Sequence, residues 1–86
     1  MREIDIQFGK LVKQKRKQMN ITQERLSELA GISTVFCRNI ELGINRSNWV
    51  TWVKICTVLE IDMNAWADQY IKPSLNEVGE MLGMKF

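Results

Sequence analysis

The sequence predicts an all-α domain of five short helices, followed by a short C-terminal helical tail. Three observations lead there. Proline occurs once, at Pro73, and alternating apolar/polar runs are scarce, which argues against a sheet. Apolar residues recur instead at helical spacing. Between those runs stand residues that start helices (Thr22, Ser33, Asn48, Asp62) and residues that tolerate the left-handed conformation ending them (Asn20, Gly31, Gly43). Eighty-six residues suffice for one domain and not for two. Residues 1–72 are expected to form it, with 73–86 as a tail available for dimerisation.

The first helix is expected from about Ile6 to Met19, with Phe8, Leu11, Val12 and Met19 on one face and lysines on the other. Asn20 supplies its stop. Thr22 then caps a second helix that carries Leu26, Leu29 and Ala30 inward, and Gly31 closes it. Ser33 caps the third, about Thr34 to Leu42, which Gly43 closes. Helices two and three are thus separated only by Gly31-Ile32-Ser33, the compact joint of a helix-turn-helix. Asn48 can cap a fourth helix to about Leu59, with Trp52, Val53, Ile55, Cys56 and Leu59 inward. Asp62 can cap a fifth, from Met63 to about Ile71, which Pro73 prevents from continuing. In the tail, Ser74-x-x-Glu77 has the form of a capping box ahead of Val78 and Leu82.

Composition narrows the function. The 45% apolar and 26% charged content is that of a folded globular chain. No apolar run approaches the ~20 residues of a membrane span. The opening MREIDIQFGK lacks the apolar stretch of a signal peptide, so the cytoplasm is the expected compartment. Cys37 and Cys56, without any histidine, cannot complete an ordinary tetrahedral zinc site, and each reads as a small buried apolar residue. No cofactor is implied. Catalysis is not expected either: there is no phosphate-binding glycine loop, and Cys37 has no base. Charge is uneven. Residues 1–46 carry nine Lys/Arg against five acids, and residues 47–86 carry three against five. A basic N-terminal half suits an anionic partner, although a stretch such as Lys10–Lys17 is also what a solvated helix face looks like.

The third helix sharpens the question. At about 100° per residue, Cys37 and Ile40 fall on one side, while Thr34, Val35, Arg38, Asn39 and Leu42 share the other. Phe36 sits at the boundary. The outward set combines a guanidinium, an amide, a hydroxyl and branched apolar groups. Arg pairs with two acceptors on guanine, Asn with an acceptor and donor on adenine, and an apolar group meets a thymine methyl. From the helix alone, a base-reading surface and a plain solvated face both remain open.

From about Phe8 to Trp66 the chain resembles the helix-turn-helix domain of the phage-repressor and xenobiotic-response-element (Cro-like) family of transcriptional regulators. Leu11 and Arg16 match, as do Ile21-Thr22-Gln23 leading to Leu26, Gly31-Ile32-Ser33, Ile40-Glu41-x-Gly43 and Leu59-Glu60-Ile61, all without a gap between Thr22 and Gly43. The resemblance implies a five-helix repressor-like fold that binds double-stranded DNA as a homodimer. It implies that Thr34, Val35, Arg38 and Asn39 face bases in the major groove. Gln23, with Asn45, Arg46 and Ser47, would meet the DNA backbone. Arg16 and Glu41 would form a structural ion pair.

Some positions depart from the family pattern. Ser27 stands where Ala is usual, Cys37 replaces a larger aliphatic residue and Cys56 an alanine. Ser47 stands where Pro is common, and Phe36 is bulky for its position, more simply explained by packing than by base contact. The alternative to a sequence-specific regulator is a protein-interaction module, such as an antitoxin with a toxin partner. Trp49, Trp66, Tyr70 and the tail are the apolar groups it would use, unless they fill the core and a dimer contact.

Overall fold

The computed structural model describes residues 3–44, 49–66 and 68–69. Five helices follow one another: α1 (Glu3–Gln18), α2 (Gln23–Ala30), α3 (Thr34–Leu42), α4 (Trp49–Leu59) and α5 (Met63–Trp66). No strand occurs among the described residues, so the fold is all-α. The expected capping by Asn48, the continuation of α5 towards Ile71 and the 73–86 tail lie outside them.

The helix ends follow from local chemistry. Thr22 has extended backbone, and its hydroxyl accepts from the Arg25 N–H at 3.0 Å. Ser33 does the same for the Phe36 N–H at 3.0 Å. The Asp62 carboxylate accepts from the N–H groups of Asn64 and Ala65 at the start of α5. Gly31 and Gly43 end α2 and α3 at φ 70° and 73°, and their N–H groups satisfy carbonyls of the last turn. Asn20 ends the first helical segment at φ 58°, and Glu60 does the same after α4 at φ 55°.

α1 begins three residues earlier than the apolar pattern suggested. Glu3 and Asp5 occupy its first turn, where the helix dipole favours acids, and the Gln7 amide donates to the Glu3 carboxylate at 2.8 Å. α1 packs on α3 and α4, and α2 packs on the same two helices. The core between them holds Phe8, Val12, Leu26, Ala30, Cys37, Ile40, Ile55, Cys56 and Leu59. Phe8 stacks on Trp52 with ring centroids 4.1 Å apart, and Trp66 meets both rings edge-on at 5.6 and 5.8 Å. This aromatic trio anchors α5 to α1 and α4.

Three residues expected inward face out: Met19, Leu29 and Val53 are exposed. Met19 lies past the end of α1. Leu29 and Val53 lie at the outer side of the α2–α4 contact, where no third helix among the described residues covers them. With Trp49 (73% exposed) and Val50 they leave α4 an apolar outer face. Phe36 packs against the core, filling space beside the small Cys37.

Both cysteines are buried free thiols. Burial pushes the Cys37 thiol up from its ordinary 9.0 to about 11, with the Glu41 charge adding to it, and burial alone does the same for Cys56. A raised thiol pKa means that the folded state holds the proton more tightly than the unfolded one. Its stabilising contribution is complete below pH 9 and is lost as pH rises towards about 11. Urea midpoints measured at pH 8 and pH 10 should therefore fall, and fall less in a Cys37→Val/Cys56→Ala variant. An equal fall in both proteins would show that the two thiols do not cause the alkaline loss.

Candidate nucleic-acid interface

The joint between α2 and α3 is fixed from beneath by one carboxylate. Glu41, on the last turn of α3, is buried. Its Oε2 accepts from Arg16 Nε at 2.7 Å, and its Oε1 from Arg16 Nη2 at 3.1 Å. The side chains are 12% and 2% exposed for Arg16 and Glu41. Arg16 Nη1 donates in addition to the Ile21 carbonyl at 3.0 Å, so the guanidinium holds α1, the approach to α2 and α3 together. The hydrogen bond to Glu41 raises the pKa of Arg16, outweighing the opposing effect of burial. Such a two-pronged guanidinium–carboxylate pair carries directional specificity that a lysine could not supply.

Gln23, the first residue of α2, joins the same carboxylate, its Nε2 donating to Glu41 Oε1 at 3.2 Å. One of its two amide protons is therefore directed inward rather than towards a phosphate. The other proton and the side-chain oxygen stay available at the helix N-terminus. This tie was invisible in the sequence, because Gln23 and Glu41 are brought together only by the packing of α2 on α3.

A second contact crosses the joint at the other end. Ser27 of α2 is buried, and its Oγ donates to the Glu24 carbonyl at 2.7 Å and lies 3.1 Å from Thr34 Oγ1 on α3. Nothing in the sequence around Ser27 signals this contact, because Thr34 is brought to it only by the turn between α2 and α3.

Above these ties α3 shows one outward face. Val35 and Leu42 are 57% and 58% exposed, Arg38 is exposed, and Thr34 and Asn39 are half-buried at its margins. Among the described residues Arg38 has no hydrogen-bond or ion-pair partner. Leu42 belongs to this surface as well, beside the residues expected to face bases. Asn45, Arg46 and Ser47 lie outside the described residues. On α1, Lys10, Lys13 and Lys17 are exposed within an arc of about 60°, on a side of the helix different from that of Arg16. Among the described residues no three His, Cys, Asp or Glu side chains gather as a metal site requires. No described helix is long and apolar enough to cross a membrane.

A helix-turn-helix family profile matches residues 12–66, more than half of the chain. The chain belongs to the Cro-like helix-turn-helix family. At that level this family member is a DNA-binding transcriptional regulator. The matched span contains the whole Gly31–Ser33 joint with α3 and Gly43, and Glu41 with its partners Arg16 and Gln23. No curated protein matches the chain's sequence.

Proposed function

We propose that this family member is a repressor that binds a near-palindromic operator as a homodimer in the cytoplasm, reading the major groove with α3. The observation that supports this most is the outward face of α3. A charged Arg38 with no partner among the described residues stands beside Thr34, Val35 and Asn39, on a helix held from beneath by Glu41 and its partners. A guanidinium left unpaired there is positioned to take the two major-groove acceptors of guanine. Two copies about a two-fold axis would set their α3 helices one turn of DNA apart, ~34 Å. Gln23, Asn45, Arg46 and Ser47, with Lys10, Lys13 and Lys17, would supply sequence-independent contacts to phosphates. The reading is of a binding protein without catalytic chemistry.

The test is a fluorescence-anisotropy titration against DNA upstream of the protein's own gene and a scrambled duplex, at two salt concentrations. Arg38→Ala should lose about 1–3 kcal/mol on the cognate duplex and much less on the scrambled one. Arg46→Ala should weaken both alike and reduce the salt slope by about one. An Arg38→Ala protein weakened equally on both duplexes would remove Arg38 from base reading.

A second reading, an antitoxin-type module whose main partner is a protein such as a toxin, is favoured by the outer face of α4. Trp49, Val50 and Val53, with Leu29 beside them, offer an aromatic anchor among aliphatic neighbours. Trp66, by contrast, is committed to the aromatic trio with Phe8 and Trp52. Co-purification of the product of the neighbouring gene, abolished by Trp49→Ala, would favour this reading.

A further inference from the structure

The hydrogen bonds around Ser27 determine which way the proton of Thr34 points. A serine hydroxyl has one proton. The Glu24 carbonyl oxygen can only accept, and it lies 2.7 Å from Ser27 Oγ, so the Ser27 proton must occupy that gap. Ser27 then has only lone pairs left for Thr34 Oγ1, 3.1 Å away, and the Thr34 hydroxyl must be the donor in that contact. Ser27 is buried, so water does not compete for its Oγ. The α2 backbone thus orders two protons in series, and the hydroxyl of the half-buried Thr34, at the margin of the outer face of α3, keeps lone pairs alone for a partner outside the protein.

We infer that Thr34 acts as an obligate acceptor, selecting exocyclic amino groups of bases in the major groove, with Ser27 as the positioning residue that enforces this polarity. The inference rests on the proposal that Thr34 faces bases. Adenine N6 and cytosine N4 are the amino donors on the major-groove edge, whereas guanine O6, guanine N7 and thymine O4 are acceptors. At one position of each half-site, one strand should therefore carry adenine or cytosine in preference to guanine or thymine. A free threonine hydroxyl would not discriminate in this way, because it can rotate to donate or accept. Alanine at position 27, the usual residue in the family, would leave Thr34 that freedom.

Selection of bound duplexes from a randomised library, followed by affinity measurement on single-position variants of the selected site, tests this with wild type, Thr34→Val and Ser27→Ala. Thr34→Val identifies the position by flattening its preference. Wild type should favour adenine or cytosine there by roughly fivefold to tenfold, the low end of what a base-edge hydrogen bond discriminates. Ser27→Ala should bind the guanine- or thymine-substituted site more tightly than wild type does. Thr34→Val should weaken the selected site without that gain. Preferences at the position read by Arg38 should be the same in all three proteins, which a general loosening of α3 would not preserve. If Thr34→Val flattens a position but Ser27→Ala gains nothing on the substituted site, the proton order is wrong while Thr34 remains a base reader. A wild-type preference for guanine or thymine at that position would also overturn it. If Thr34→Val flattens no position, or wild type selects no sequence, the base-facing role itself fails and the inference falls with it.

Discussion

Truncation of Glu41 to alanine is expected to destabilise the domain by about 3–5 kcal/mol, the usual cost of stranding one member of a buried ion pair. The carboxylate is 2% exposed and accepts three N–H groups, two from Arg16 and one from Gln23. Its loss leaves the guanidinium, 12% exposed, without a counter-charge, and the Gln23 amide without an acceptor. Domains of this size have roughly 5–10 kcal/mol in total, so the variant should be substantially unfolded or close to it. Arg16→Met should cost a comparable amount by leaving the carboxylate alone. The double variant Arg16→Met/Glu41→Leu should cost well under the sum, because both charges leave together and apolar side chains of similar volume take their place. Urea unfolding of wild type, Arg16→Met, Glu41→Leu and the double variant gives the coupling directly, and a value near 2 kcal/mol or more is expected. A Glu41→Ala protein within 1 kcal/mol of wild type would mean that water enters the pair and that it contributes no more than a surface bridge.

The helix ends were readable because each depends on one residue and its nearest neighbours. Thr22, Ser33 and Asp62 accept the expected N–H groups, and Gly31, Gly43 and Asn20 take the left-handed conformation. The outward face of α3 was readable too, since a 100° step separates Cys37 and Ile40 from Val35, Arg38 and Leu42 without knowledge of any other helix. What periodicity does not supply is the identity of the neighbour across each face. Leu29 and Val53 sit at helical spacing from core residues and still face outward, because α2 and α4 cover each other only along one edge. The same limit hid Gln23–Glu41 and Ser27–Thr34, contacts 18 and 7 residues apart in the chain. Both modify the roles that family resemblance alone assigns: Gln23 is partly committed inward, and Thr34 has its proton directed towards α2.

Gly9 provides the clearest conflict between local propensity and packing, and the second large effect. It lies in the middle of α1, where alanine should be better than glycine by roughly 1 kcal/mol. By that criterion Gly9→Ala is a stabilising change. Packing demands the opposite. Gly9 is buried where α1 crosses the last turn of α3, and a methyl group built on its Cα would collide with the Ile40 carbonyl oxygen and lie 2.7 Å from that of Glu41. Those atoms are backbone, the Ile40 carbonyl already accepting from the Gly43 N–H at 3.0 Å, and cannot swing aside as a side chain would. Relief requires α1 to lift, which would stretch the Arg16–Glu41 pair and loosen Phe8 from Trp52 and Trp66. Gly9→Ala should therefore destabilise by about 3 kcal/mol or more, at or beyond the top of the usual overpacking range. Gly31→Ala is the control. Its φ is 70° but nothing lies within 4 Å of the added carbon, so it should cost only the roughly 1 kcal/mol of a left-handed alanine. Denaturant unfolding of the two variants beside wild type separates the causes. A Gly9→Ala protein as stable as wild type, or more so, would show that α1 can withdraw from α3 at no cost, and the close crossing would then have no part in holding the Glu41 network closed.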